Sequence, residues 1–252
     1  MLASGSRMRA LSSEITLPPF PRGLPWLNTA TLRADQQRGR PVLVEFWDFC
    51  RINSLRTLPY VKAWHERYAE TGLRVIGVHT GGYPCSRELD AIELAVARLG
   101  VEYPVLVDSE LEVWDIYGNQ GWPGRYLWGP DGKLVSLHYG EGAYEETERE
   151  IADLLGLGEI EPVPLVRPED APDAVLPPQS ADVRGLHEGP YEAGGVHLIC
   201  AGTGAVDGVA VDGCGCYTIV DHGVHTAAEM HATVEGDVEV LATCFTPALP
   251  AA

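Results

Sequence analysis

The chain has 252 residues, 45% of them apolar and 21% charged, which excludes a disordered polymer and leaves room for one large domain or two unequal ones. Its 36 acidic against 18 basic side chains give a formal charge of -18. That charge repels phosphate backbones and anionic lipid surfaces at long range, arguing against nucleic-acid and membrane partners.

Arg7 and Arg9 are followed by no continuous apolar run before Ala30, so neither a secretory leader nor a membrane span is expected, and the chain reads as cytoplasmic. Residues 1–34 are expected to form an N-terminal extended arm, because prolines at 18, 19, 21 and 25 deny a helix its hydrogen bonds. Pro41–Trp47 and Leu73–His79 are short apolar runs suited to strands buried on both faces. Between them Leu55, Leu58, Val61, His65 and Tyr68 recur at helical spacing. Strand, helix, strand in that order implies a right-handed parallel crossover. A second helix is predicted over Ser86–Leu99, a strand over Tyr103–Asp108, and a short helix through Trp114. Arg125–Trp128 and Lys133–His138 flank the turn signal Gly129-Pro-Asp-Gly132, which predicts an antiparallel hairpin before a last helix over Tyr144–Leu155.

Residues 158–181 are expected to be a proline-rich acidic linker, since Glu159–Ser180 holds six prolines and five acidic side chains with little periodicity. Beyond it, short apolar runs separated by glycine-rich turns predict a small β-sandwich over residues 182–252. About 65 residues make a marginal core for such a module.

The segment from Phe46-Trp47-Asp-Phe-Cys50-Arg51-Ile52-Asn53-Ser54 through Leu-Arg-Thr-Leu-Pro59 to His65 resembles the active-site segment of the TlpA/DipZ-like thioredoxin (redoxin) family. Val75–His79, Trp114–Gly118, Trp122-Pro123 and Tyr139–Glu146 resemble further landmarks of that family, so the likeness covers residues 35–157. It implies a thioredoxin-like α/β fold, a central mixed sheet flanked by helices. It also implies thiol-disulfide oxidoreductase chemistry on a protein or peptide thiol or disulfide, with no cofactor and no metal. Val211–Gly213, Tyr217–Val220 and Cys244–Pro247 resemble strands of the carbohydrate-binding-like module that follows the DipZ-type domain, which implies a carbohydrate or protein ligand for residues 182–252.

Aligned on Ile52-Asn53, the resemblance puts Arg51 in the slot of the nucleophilic cysteine and Ser54 in that of the resolving one, and Pro59 five residues on matches the helix-kinking proline. A CxxC pair works because its first sulfur lies at a helix N-terminus, where backbone N–H groups stabilise thiolate, and its second lies one turn away. Serine cannot close that disulfide. Cys50, one position upstream, reads either as a reactive single thiol beside Arg51 or as a small buried residue at the strand end. Cys85 follows the second parallel strand and emerges at the same sheet edge as Cys50. It reads either as half of a relocated Cys50–Cys85 pair or as an isolated surface thiol. Glu45 matches the buried carboxylate of thioredoxins, so burial should raise its pKa, whether it relays protons or only braces the sheet. Trp122-Pro123 falls at the family's cis-proline loop. With Trp47 it is assigned to the groove that binds a peptide.

Cys214-Gly-Cys216 is the tightest cysteine cluster; residues two apart on a strand share a face, so the two thiols face one metal or redox partner or else fill the core. The six cysteines show no zinc-ribbon spacing. The catalytic candidates are therefore Cys50, Arg51, Ser54, Glu45 and Cys85. A noncatalytic binding module built on the Pro123 groove and the β-module is the competing expectation. A thiol peroxidase is disfavoured, because Trp47 stands where peroxiredoxin-like sites carry threonine.

Overall fold

The computed structural model describes residues 7–9 and 15–251. Contact density divides the chain into two units: one runs to Phe49 and resumes over Asn53–Pro164, and the other comprises Cys50–Ile52 with Leu165 onward.

The first unit is built on seven strands: β1 (Arg7–Arg9), β2 (Trp26–Leu27), β3 (Val42–Trp47), β4 (Arg74–His79), β5 (Val105–Val107), β6 (Gly124–Trp128) and β7 (Leu134–Tyr139). Their spatial order is β1-β7-β6-β3-β4-β5-β2. The helices are α1 (Ile52–Tyr68), α2 (Leu89–Arg98), α3 (Glu112–Tyr117) and α4 (Tyr144–Leu155). β3, β4 and β5 are mutually parallel in order, as short buried strands joined by helical crossovers must be, while β6 and β7 form the antiparallel hairpin.

Strand alternation sorts β3 between two layers. Val42, Val44 and Phe46 enter a core with Ile76, Val78, Leu106, Val113, Tyr126 and Trp128, against which Trp114 and Tyr117 of α3 pack. Leu43, Glu45 and Trp47 face the other way. On that side Arg125 of β6, in register with Glu45, lies over the rings of Trp64 on α1 and Tyr144 on α4. Tyr60 and Tyr144 stack at 3.7 Å, holding those two helices together.

Two expectations for this unit change in detail. The described part of the arm, residues 7–9 and 15–34, joins the sheet: β1 pairs with β7, β2 pairs with β5, and Leu17 N–H donates to Gly132 O at 2.8 Å. Residues 1–6 and 10–14 of the expected arm lie outside the described residues. The helix expected over Ser86–Leu99 is interrupted, a 3-10 turn over Pro84–Arg87 preceding α2. Ser86 is withdrawn from the helix because its hydroxyl donates to Asp48 and Tyr83, and Glu88 is extended.

The second unit contains β8 (Val183–Arg184), β9 (Gly189–Val206), β10 (Val209–Asp212), β11 (Gly215–Met230) and β12 (Val234–Thr246). All five belong to one antiparallel sheet in which β9 pairs with β10, β11 and β12. These strands are longer than the short apolar runs suggest, because residues such as Gly202 and Gly204 keep the ladder running where a side chain would end it. A Cβ at either would stand 2.0 Å from a carbonyl oxygen of β12. The core is Tyr191, Val196, Leu198, Cys200, Val206, Val211, Met230 and Phe245.

The proline-rich segment is hydrogen-bonded at both ends. Val163 N–H and Arg67 both donate to the buried Glu148 carboxylate, at 2.7 and 2.9 Å, and Tyr68 donates to it at 2.7 Å. Further on, Ser180 N–H donates to Glu192 O within the second unit. Among the described residues no helix is long and apolar enough to cross a membrane.

Candidate functional site

The site begins where β3 runs out. Asp48, Phe49 and Cys50 are at most 1% exposed, and α1 starts two residues after Cys50. Ser54, in the first turn of α1, accepts a hydrogen bond from Asp48 N–H at 3.3 Å. The hydroxyl in the slot of the resolving cysteine thus ties the helix back to the strand end. Asp48 Oδ2 accepts from Gly82 N–H at 2.8 Å and from the Ser86 hydroxyl at 3.3 Å, fastening the loop after β4. Asp48 Oδ1 also lies 3.8 Å from His79 Nε2, but this is no ion pair. Phe49 N–H donates to that same Nε2 at 3.4 Å, which requires the neutral ring, and burial pushes the His79 pKa down to about 3.

Glu45 is fully buried, and neither of its carboxylate oxygens has a hydrogen-bond partner among the described residues. Burial pushes its pKa up to about 8, and the charge of Arg125 only partly opposes that rise. The carboxyl is therefore neutral at pH 7, which removes the desolvation penalty of a buried anion. Across β4 its register partner is Gly77, where a Cβ would meet Trp47 Nε1 and the Tyr103 ring at 2.9 Å. Only glycine lets both rings close over this stretch of sheet. The expected rise of the Glu45 pKa is thus present, with burial as its cause.

Trp122 is placed by a hydrogen bond from its Nε1 to Thr80 O at 2.8 Å and by contact with Trp114, ring centroids 4.3 Å apart. The Trp122–Pro123 peptide is cis, and Pro123 O accepts from Gly140 N–H at 2.8 Å. Next to Gly140, Glu141 pairs with Arg56 of α1 at 2.7 Å. Trp47 is wholly buried, with its ring edge-on to His79. It supports the floor of the site and offers no surface to a peptide, contrary to its assignment to the groove.

The second unit holds the tripeptide Cys50-Arg51-Ile52 together with its sheet. Cys50 is a thiol, and its sulfur lies 3.4 Å from that of Cys214, at the turn into β11. Cys214 is disulfide-bonded. Of the alternatives for Cys214 and Cys216, that of two thiols facing one metal does not hold, because a disulfide sulfur carries no thiolate. Cys85, on the 3-10 turn, is likewise disulfide-bonded and is not joined to Cys50. Both readings of Cys85, as the relocated partner of Cys50 and as an isolated surface thiol, are therefore corrected. Burial pushes the thiols of Cys200 and Cys244 up to about 11 and about 12. For Cys244, Asp182 adds to the rise and Arg51 opposes it.

Sequence reasoning did not single out Asp48 or His79, nor the approach of Cys214 to Cys50 across 164 positions. Asp48 and His79 sit at adjacent parallel strand ends, so their meeting was open to inference from the strand assignment; no local signal marked the cysteine contact.

No family model matches the chain. Over 163 residues it is 34% identical to protein DipZ of Mycobacterium bovis, a match covering 62% of this chain and 24% of DipZ, so the matched stretch is about a quarter of that relative's length. Over 129 residues it is 26% identical to the thiol-disulfide oxidoreductase ResA of Halalkalibacterium halodurans, covering 51% of this chain and 70% of ResA. Among solved structures, the thioredoxin-like superfamily protein SPOA0173 superposes with a TM-score of 0.51 at 22% identity, over 58% of this chain and 99% of that one. The first unit is thus a thioredoxin-like redoxin fold, a mixed sheet flanked by helices, followed by a separate antiparallel β-sheet module.

Proposed function

We propose that this thioredoxin-fold chain is a thiol-disulfide redoxin whose CxxC has degenerated to Arg-Ile-Asn-Ser and whose sulfur chemistry runs through Cys50, on protein or peptide thiols and disulfides. The observation that carries this reading is the place of Cys50, a thiol three residues beyond the end of β3 and two residues before a 17-residue helix. Backbone N–H groups at a helix start favour a thiolate over a thiol. Arg51 and Ser54 leave the first turn of α1 unable to close a disulfide of its own. The likeness to the thiol-disulfide oxidoreductase ResA supports a protein thiol as the reacting partner.

Turnover of a fluorescent peptide disulfide by the full chain tests this. Cys50→Ala is expected to fall to the uncatalysed rate, while Cys216→Ala keeps the parent rate. Equal turnover by parent and Cys50→Ala would remove Cys50 from the chemistry.

One observation favours a second reading. Cys50 is 0% exposed, as suits a noncatalytic module that keeps the Trp122-Pro123 segment and the β-unit for partner recognition. That reading predicts background turnover in the parent and unchanged partner binding in Cys50→Ala.

A further inference from the structure

A buried thiol needs a partner sulfur that external thiols can reach, and the second unit contains one. We propose that Cys50 and Cys214 are an exchange pair, in which the accessible Cys214 meets the external thiol and the buried Cys50 resolves the mixed disulfide. This rests on the reading of Cys50 as the reacting thiol and adds its partner.

Three observations carry it. The two sulfurs stand 3.4 Å apart, and because Cys214 is already in a disulfide its sulfur has no proton, so Cys50 S–H must be the donor in this contact. Their exposures differ in the useful sense: Cys50 is fully enclosed, while Cys214 is partly open to solvent. The turn carrying Cys214 is also clamped. The Tyr217 hydroxyl lies 3.0 Å from both Asp212 Oδ1 and Gly213 O, and Asp212 N–H donates back to it at 3.3 Å. A sulfur on so tethered a turn stays within reach of Cys50. The other buried thiols of the unit are unsuited, since burial keeps Cys200 and Cys244 protonated.

The chemistry balances without an added oxidant or reductant. A thiolate of a low-molecular-weight or protein thiol attacks Cys214 Sγ, and the sulfur now bonded to Cys214 leaves as a thiolate and takes up a proton. Cys50 then gives up its proton and attacks Cys214 Sγ, forming a Cys50–Cys214 disulfide and expelling the external thiolate. One S–S bond is lost and one gained, and the external thiol is returned unchanged. In reverse, an external thiolate opens the Cys50–Cys214 bond at Cys214 Sγ and is displaced in turn by the sulfur of the original partner, which re-forms the starting disulfide and releases the external thiol.

The test is disulfide mapping by mass spectrometry on the full chain, equilibrated in glutathione buffers of graded redox ratio, acid-quenched and digested. A peptide joining Cys50 to Cys214 is expected. Its absence at every ratio, with native near-ultraviolet circular dichroism retained, overturns the pair. On a Cys85→Ser background, which removes the other disulfide-bonded cysteine, adding Cys50→Ser should make the glutathione–Cys214 mixed disulfide persist about tenfold longer in about 0.1 mM glutathione, because a tethered thiol acts at an effective concentration on the order of 1 mM. An unchanged lifetime also counts against the pair. If the linked peptide is absent while Cys50→Ala still abolishes turnover, the pair is wrong and the role of Cys50 stands. If the linked peptide forms without peptide turnover, the pair stands and the enzymatic reading falls.

Discussion

Replacing Glu45 by glutamine should flatten the pH dependence of the first unit's stability. In the folded protein burial holds this carboxyl up to about 8, against an ordinary value of 4.5. Between those two values the unfolded chain has released the proton and the folded one has kept it, so stability is fully present below about pH 4.5 and is lost as pH rises toward 8. The slope is about 1.4 kcal/mol per pH unit, which across that window amounts to about 5 kcal/mol. Glutamine is close in shape to the protonated acid and does not titrate, so the variant should lack this slope whatever its absolute stability. Urea unfolding followed by tryptophan fluorescence is the suitable assay, because all six tryptophans (Trp26, Trp47, Trp64, Trp114, Trp122 and Trp128) belong to the first unit. Parallel stability curves for parent and Glu45→Gln from about pH 5 to 8 would refute the assignment of a neutral buried acid.

Arg125→Met removes the cation that opposes the effect of burial on Glu45, so the carboxyl titration followed by carbon NMR should move to still higher pH; a downward move would contradict this. The His79 ring should remain neutral down to about pH 5, and the stability tied to it should be present above 6.5 and lost as pH falls toward about 3. A ring-proton NMR midpoint near 6.5 would show that the Phe49 N–H contact does not hold the neutral form. Cys200, with its pKa raised from 9.0 to about 11, should carry about a hundredfold less thiolate than an ordinary cysteine at pH 8 and alkylate correspondingly slowly in the folded protein. Tyr60→Ala removes the ring stacked on Tyr144 and should destabilise the first unit by about 3 kcal/mol in the same fluorescence assay. An effect below about 0.5 kcal/mol, the scale of a surface substitution, would mean that the α1–α4 contact is not cemented by that pair.

The elements of the first unit were legible because each is written in a local period. Val42–Trp47, apolar but for Glu45, and Arg74–His79, apolar between its charged first residue and its terminal histidine, are short strand-like runs, the hairpin is announced by Gly129–Gly132, and α4 has the bounds that its pattern suggests. The raised pKa of Glu45 was also legible, since a lone acid within an apolar strand has nowhere to go but inside. Where side chains bond across the chain, the local pattern misled. Ser86 reads as a helix start, but its hydroxyl serves Asp48, 38 positions away, and the helix begins later. Trp47 reads as an aromatic available to a ligand, but alternation along β3 and the space left by Gly77 bury it.

Sequence by itself determined the order of strands and helices, the absence of a cysteine from positions 51–54, and the apolar run that encloses Glu45, because backbone periodicity and residue type are local properties. The state of each sulfur was decided only by tertiary structure. A thiol is set by what lies within a few ångströms of it, and the 3.4 Å approach of Cys50 to Cys214 joins positions 164 residues apart. The paths of the strands that create such an encounter leave no trace in the spacing of the cysteines along the chain.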